Sequence, residues 1–248
     1  MNLYFNGCSF TYGDELDNPA RDSWPTLVAS SLSSEFLNNA VSGGTNQQTV
    51  YQTIQHSNNY DFFFIAWTFY SRFTEYNPVD NFEINFNPQL AINAKMHYSD
   101  DLKKNYAKFE TYGKLYYTHW FNELYEFKKW LQQIILLQSF LKVNQKKCIM
   151  LNTTDNNLSL WLKPENEFIQ ATKKLIPFFD YINDDQLLTE HYQIQQLVAM
   201  IDQSTFLGWN NWNMQGLTSQ YPTGANGHLL KDGHVAIANT VLDYFYNL

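Results

Sequence analysis

The chain is short of arginine, of cysteine and of long apolar runs, and each shortage excludes something. Of its 16 basic residues only Arg21 and Arg72 are arginines, and 24 acidic residues give a net charge of −8 over 248 residues. That balance leaves no basic face to neutralise phosphates, so no nucleic-acid partner is expected. It also disfavours docking on an anionic membrane surface. Cys8 and Cys148 are too few for a disulfide framework or a structural zinc site. The longest strongly apolar run, Phe62 to Trp67, has six residues, against the roughly 20 that span a bilayer. The first residues, Met1 to Asn6, carry no basic segment and no long apolar stretch, so no secretory leader is read. The scarcity of Arg beside abundant Lys and Asn is the usual mark of AT-rich coding DNA, found in some bacteria and many phages, and concerns source, not chemistry. With no leader and no membrane-spanning run read, the expected location is cytoplasmic or virion-associated.

Metal and cofactor chemistry finds little purchase. His56, His97, His119 and His191 are scattered without ligand spacing, and Glu123 and Glu126 share a helix face but lack a histidine partner. No phosphate-cradling glycine loop is present. The expectation is no metal and no cofactor. What the chain has in quantity is aromatic side chains, 17 % of all residues. Most must pack in a core, and those left over at the surface are candidates for ligand contacts.

The chain reads as one domain over residues 1–248, with an insertion at about 73–115 that is polar, Asn-rich and a candidate lid. Leu3–Phe5 reads as a short strand ending at Asn6-Gly7, and Glu35–Asn38 as a second. Ser23-Trp24-Pro25 opens a helix with proline in its first turn. A helix is expected from Thr45 to about His56. Phe62–Trp67 has the continuous apolar run of a strand buried on both faces. A long amphipathic helix is expected from Tyr116 to about Lys142, a strand at Lys147–Leu151, a helix at Glu165–Leu175 and a final helix from Gly233. Phe178–Tyr181 reads as the last strand, and residues 203–227 as loop. Strands alternating with helices predict an α/β three-layer sandwich around a mostly parallel five-stranded sheet.

In such a sheet, sites form where the strands end. Four clusters fall at such places. The first is Asn6-Gly7-Cys8-Ser9-Phe10-Thr11-Tyr12-Gly13-Asp14-Glu15-Leu16, where the first strand ends, and there a serine hydroxyl and its own N–H can face one spot at a helix N-terminus. The second, Asn38 to Gln48, holds Gly43 and Gly44, which let backbone approach a ligand closely. The third is the end of the apolar strand, Thr68 to Arg72. The fourth, Gly227 to Ala238, holds His228 and His234.

Taken in this order, the clusters resemble the conserved blocks of the SGNH (GDSL-type) hydrolases. The first is similar to Gly-Asp-Ser-x-(Thr/Ser)-x-Gly, with Ser9 at the nucleophile position and Cys8 in place of Asp. The second matches Asn-x-x-x-Ser-Gly-x-Thr, which makes Gly43 the oxyanion donor and Gly44 its runner-up. The third lacks the family's Gly-x-Asn-Asp; Thr68 stands nearest the Asn, with Ser71 and Arg72 as alternative donors. In the fourth, Gly233-His234 aligned on the family's Gly-His puts His228 at the base position. The other register makes His234 the base, with Asp232 beside it. In the favoured register Ala225 stands where the family has its acid, and Asn226 is the nearest polar residue. The third triad member can come from elsewhere, and the sequence does not name it.

The resemblance implies a flavodoxin-like fold and an ester hydrolase that uses Ser9 and His228, with an oxyanion hole from Ser9, Gly43 and Thr68. The expected substrates are small-molecule or glycan esters. The Trp209-Asn210-Asn211-Trp212-Asn213 segment and the aromatic insertion are candidates for a sugar-binding wall, which favours carbohydrate O-acetyl esters. Cys8 is a second candidate nucleophile, since a thiolate is more reactive than a hydroxyl. The competing expectation is a member of the same fold that binds a glycan or serves in assembly without hydrolysis. Oligomeric state is not legible.

Overall fold

Alternation within the first strands organises the molecule into two packed faces. The computed structural model describes residues 1–77, 82–86, 88, 109–175 and 183–248. Strand β1 (Asn2–Asn6) pairs in parallel with β2 (Glu35–Asn38) on one side and with β3 (Phe62–Trp67) on the other. β3 continues in parallel to β6 (Lys147–Asn152), and β6 to β7 (Phe206–Leu207). The order β2-β1-β3-β6-β7 is that of a flavodoxin-like sheet. All six residues of β3 are buried, as its unbroken apolar run requires of a strand covered on both sides.

One face of the sheet presents Tyr4, Phe63, Ile65, Trp67 and Met150. It is covered by α4 (Asn46–His56), α6 (Glu123–Val143), α8 (Glu165–Leu175) and α9 (Asp184–Met200), through Val50, Phe127, Leu131, Phe168 and Ile194. The opposite face presents Leu3, Phe5, Phe62, Phe64 and Ile149 to α3 (Trp24–Ser31) and α10 (Lys231–Tyr246). Phe5 stacks on Phe64 at 4.6 Å, and Trp24 meets Phe5 edge-on at 5.3 Å. The aromatic surplus thus largely fills the core.

Short elements complete the chain. α1 (Ser9–Tyr12) and α2 (Pro19–Asp22) precede α3, and α7 (Leu158–Trp161) precedes α8. The Arg21 guanidinium, with help from Lys231, holds the Asp22 carboxyl down to about 2. Asp22 thereby ties α2 to the first residue of α10, 3.2 Å from the Lys231 Nζ.

The long helix starts later than periodicity predicts. Residues 116–120 form a π-type turn, and α6 opens at Glu123 because the Asn122 side chain accepts from the Tyr125 N–H at 2.9 Å. α9, unread in the sequence, opens on a capping box between Asn183 and Gln186. Residues 73–115 contain an antiparallel hairpin of β4 (Phe73–Asn77) and β5 (Phe82–Phe86), followed by a helix, α5, over 109–115. Phe73, Ile84 and Phe86 make a small core there with Tyr116 and Tyr117. The hairpin is tied to α4 by Asn85, which donates to Gln48 Oε1 at 3.0 Å. The fifth strand is Phe206–Leu207, inside the stretch expected to be loop. The expected strand at Phe178–Tyr181 lies outside the described residues. Among the described residues no helix is long and apolar enough to cross a membrane.

Candidate active site

β1, β2 and β3 run parallel, so their carboxyl ends open on one edge, and three of the four sequence clusters follow them directly. At the end of β1, Asn6 turns its Oδ1 onto the Gly7 N–H at 2.8 Å, while its Nδ2 donates to Tyr4 Oη and Gln52. A methyl group on Gly7 would lie 2.9 Å from the Ala66 carbonyl oxygen, so only glycine lets the chain leave the sheet this close to β3. Cys8 then caps α1, and Gly13 ends it in the left-handed conformation at φ 94°. Ser9 is the first residue of this turn and is 5 % exposed. Among the described residues its N–H and its Oγ make no hydrogen bond. Cys8 is buried, with its Sγ 3.9 Å from Thr153 Oγ1.

The glycine cluster packs against this loop. The Val41 N–H donates to the Gly7 carbonyl at 3.2 Å, and Ser42 donates to Asp14. Gly44 uses its N–H on the Val41 carbonyl at 2.8 Å. Among the described residues the N–H of Gly43, at φ 71°, has no partner, which makes it the better placed of the two to donate to a ligand. Arg72 donates to the Gly44 carbonyl at 3.2 Å and lies over the Phe69 ring at 5.0 Å. It braces the glycine turn from behind.

Thr68 follows β3 and is held from two sides. Its N–H donates to Asn46 Oδ1 at 2.8 Å, and its carbonyl accepts from Asn46 at 3.1 Å and from Asn156 at 3.2 Å. Its Oγ1 is enclosed and has no partner among the described residues. Asn46 and Asn156 escaped the sequence reading because nothing in an isolated asparagine signals a backbone clamp.

The far end of the chain closes the site. His228 lies against Phe10, ring centroids 5.1 Å apart, so the residue next to Ser9 touches the histidine. The His228 Nδ1 is 3.1 Å from Glu15 Oε2, and the same oxygen accepts from the His228 N–H at 3.0 Å. Glu15 Oε1 accepts from the Asn226 N–H at 2.8 Å and from its side-chain amide at 3.3 Å. Burial opposes the charge on Glu15, but these hydrogen bonds outweigh it and hold the carboxyl below its ordinary value. Glu15 falls inside the first sequence cluster, but nothing in the sequence assigns it a role. It lies far from His228 along the chain, and its φ of 68° is unusual for a glutamate.

His234 has a different environment. It is 1 % exposed, and its Nδ1 accepts from the Trp24 N–H at 3.1 Å. Burial, aided by nearby His228, pushes it down to about 4 against the pull of the Leu229 carbonyl and Asp22. Asp232 is exposed in the first turn of α10 and makes no hydrogen bond to His234. The Trp209 segment is not a wall: Trp209 is 7 % exposed and stacks on Trp130 at 6.0 Å, and Trp212 packs on the α3–α10 core. Among the described residues no group of three or more His, Cys, Asp or Glu could hold a metal ion.

Solved structures with similar folds include three esterase-related proteins. A member of the lipolytic protein G-D-S-L family from Veillonella parvula is 11 % identical, with 100 % of this chain and 99 % of that one covered and a TM-score of 0.45. The psychrotrophic esterase EstA from Pseudoalteromonas sp. is 10 % identical, with 99 % and 97 % covered and a TM-score of 0.47. An acetylxylan esterase from Geobacillus stearothermophilus is 14 % identical, with 98 % and 93 % covered and a TM-score of 0.45. At this distance the chemistry of the site rests on the chain's own geometry. No curated protein matches the chain. A family model matches residues 17–164, between Glu15 and the histidine loop, and by that match the chain belongs to the family of unknown function DUF6071.

Proposed function

We propose that this protein is a divergent SGNH-type ester hydrolase with Ser9 as nucleophile and His228 as base. One observation carries the reading. The loop that bears Ser9 contacts His228 twice, through the Phe10 ring and through Glu15, and so brings the first and last clusters of the chain to one site. With Nδ1 facing Glu15, the other ring nitrogen of His228 has no partner among the described residues.

The steps follow from these groups. His228 Nε2 takes the proton from Ser9 Oγ as the oxygen bonds to the ester carbonyl carbon. The carbonyl oxygen, now an anion, is met by the unengaged N–H groups of Ser9 and Gly43. The C–O bond to the alcohol breaks, and His228 returns the proton to that alcohol. Water, deprotonated by the same nitrogen, then attacks the acyl-enzyme and releases the acid and Ser9. Thr68 serves as a third donor only if its enclosed hydroxyl turns toward the ligand. Without it, the missing donor is worth ~10²–10³ in turnover.

Small esters and carbohydrate O-acetyl esters are the proposed substrates. Tyr12, 46 % exposed in the turn that begins with Ser9, takes over from Trp209 as the candidate ring for a sugar face. The enclosed Thr68 hydroxyl favours a second reading, a non-hydrolytic binding protein on the same fold. A fluorophosphonate probe with mass mapping, run beside turnover of nitrophenyl acetate, separates them. Covalent labelling at Ser9 and loss of turnover in Ser9→Ala support the hydrolase. An unlabelled, inactive but folded chain that retains acetylated oligosaccharides supports the binding protein. Labelling at Cys8 instead would remove Ser9 from the mechanism.

A further inference from the structure

We propose that Glu15 is the positioning acid of this site, doing from the nucleophile's own loop what the SGNH pattern assigns to an aspartate three residues before the histidine; the inference rests on the Ser9–His228 reading above. Ala225 occupies that aspartate position and has no group to offer. The chain has instead built a receptacle for a carboxylate arriving from the other end.

The receptacle is a tight loop over residues 222–230. Leu230 donates its N–H to the Pro222 carbonyl at 3.0 Å, Gly224 donates to the His228 carbonyl at 2.8 Å, and Gly227 donates to Gly224 at 3.1 Å. Thr223 and Leu229 bridge in antiparallel fashion. The loop aims two backbone N–H groups, those of Asn226 and His228, at the two oxygens of Glu15. Gly224 completes it by having no side chain: a methyl group there would lie 2.5 Å from the Glu15 carboxyl carbon and from Oε1. Four hydrogen bonds converge on one carboxylate whose side chain is only 16 % exposed. The last of them falls on the imidazole nitrogen that an orienting acid must hold. It fixes the tautomer with the proton on Nδ1, so that Nε2 is presented as the base, and it places a negative charge beside the imidazolium that forms when Ser9 loses its proton. The backbone bonds already tie the two loops; the fourth bond adds the imidazole to them.

The test uses Glu15→Gln, Glu15→Asp and Gly224→Ala in the full chain, with nitrophenyl acetate as substrate and a fluorophosphonate as label. Glu15→Gln removes the charge and keeps an acceptor oxygen for only one of the two backbone N–H groups, with an amide donor against the other. In folded protein its kcat is expected to fall by ~10²–10⁴ with KM within about twofold. Glu15→Asp, which keeps the charge one methylene short, should retain at least about tenfold more kcat than Glu15→Gln. Gly224→Ala, which displaces the carboxylate without altering it, should lower kcat in the same direction. If Glu15→Gln fails to fold, the other two variants decide alone. A wild type that labels at Ser9 while the folded variants keep kcat within about threefold overturns the role of Glu15 and spares that of Ser9. A wild type that neither labels nor turns over overturns both.

Discussion

His234 can be made to report on its surroundings through the pH dependence of stability. Its ring is buried and neutral, and its Nδ1 accepts the Trp24 N–H at the start of α3. Protonation in the folded state would turn that acceptor into a donor facing a donor. Burial accordingly lowers the group from the ordinary 6.5 to about 4. Above pH 6.5 the ring is neutral in folded and unfolded chains alike and adds no pH dependence. Between 6.5 and about 4 the unfolded chain takes up a proton that the folded chain refuses, so stability falls as the pH falls. Below about 4 both states are protonated and the full loss remains. At 1.36 kcal/mol per pH unit the gap is worth about 3 kcal/mol, most of it lost by pH 4.5. The assay is urea unfolding at pH 7.5, 6.0, 5.0 and 4.5 for the wild type and for His234→Asn, whose Oδ1 can accept the Trp24 N–H without titrating. Carboxylates remote from the ring are common to both proteins, and their contribution cancels in the difference. The wild type should lose about 2 kcal/mol more than the variant by pH 4.5. Parallel curves would refute the reasoning and return His234 to the list of candidate bases.

Other perturbations test the frame around the site. Asn46→Ala removes the clamp on the Thr68 N–H and carbonyl; leaving that buried N–H unpaired should cost about 1–3 kcal/mol in urea unfolding. Gly7→Ala puts a methyl group against the Ala66 backbone oxygen, which cannot step aside; a loss of about 1–3 kcal/mol is expected from thermal or urea melts. Trp209→Ala should destabilise by about 3–5 kcal/mol as a buried aromatic. In the folded fraction it should leave the KM for acetylated oligosaccharides unchanged, whereas a sugar-wall tryptophan would raise it.

The central sheet was legible because its signals are local. Phe62–Trp67 has the unbroken apolar run expected of a strand covered on both faces, and Asn6-Gly7 marks where β1 stops. The last strand was not, since Phe206–Leu207 is two residues long and holds its place only through β6. The Trp209 segment misled for a related reason: an Asn-rich context looks exposed, yet stacking on Trp130 buries the ring. Among the candidate site residues, Ser9, Gly43 and His228 were nominated because a motif orders them. Asn46, Asn156 and Glu15 were not, because each acts through a partner distant in sequence.

The position of Glu15 changes what the site depends on. With acid and base on one loop, as in the family's pattern, that loop can shift as a unit and keep its own hydrogen bond. In the proposed site the acid, Glu15, travels with Ser9, which lies six residues before it, and the base, His228, comes from the other end of the chain. Lifting the 222–230 loop would therefore break the contacts of His228 with Phe10 and with Glu15 together, and would leave Glu15 at φ 68° without the four hydrogen bonds that hold it there. Competence and docking of that loop become one equilibrium. Amide exchange at Asn226 and His228, whose N–H groups both end on Glu15, should then speed up in Glu15→Gln by a larger factor than exchange in the β3 core. Equal acceleration across the molecule would mean that the loop opens only when the whole domain unfolds.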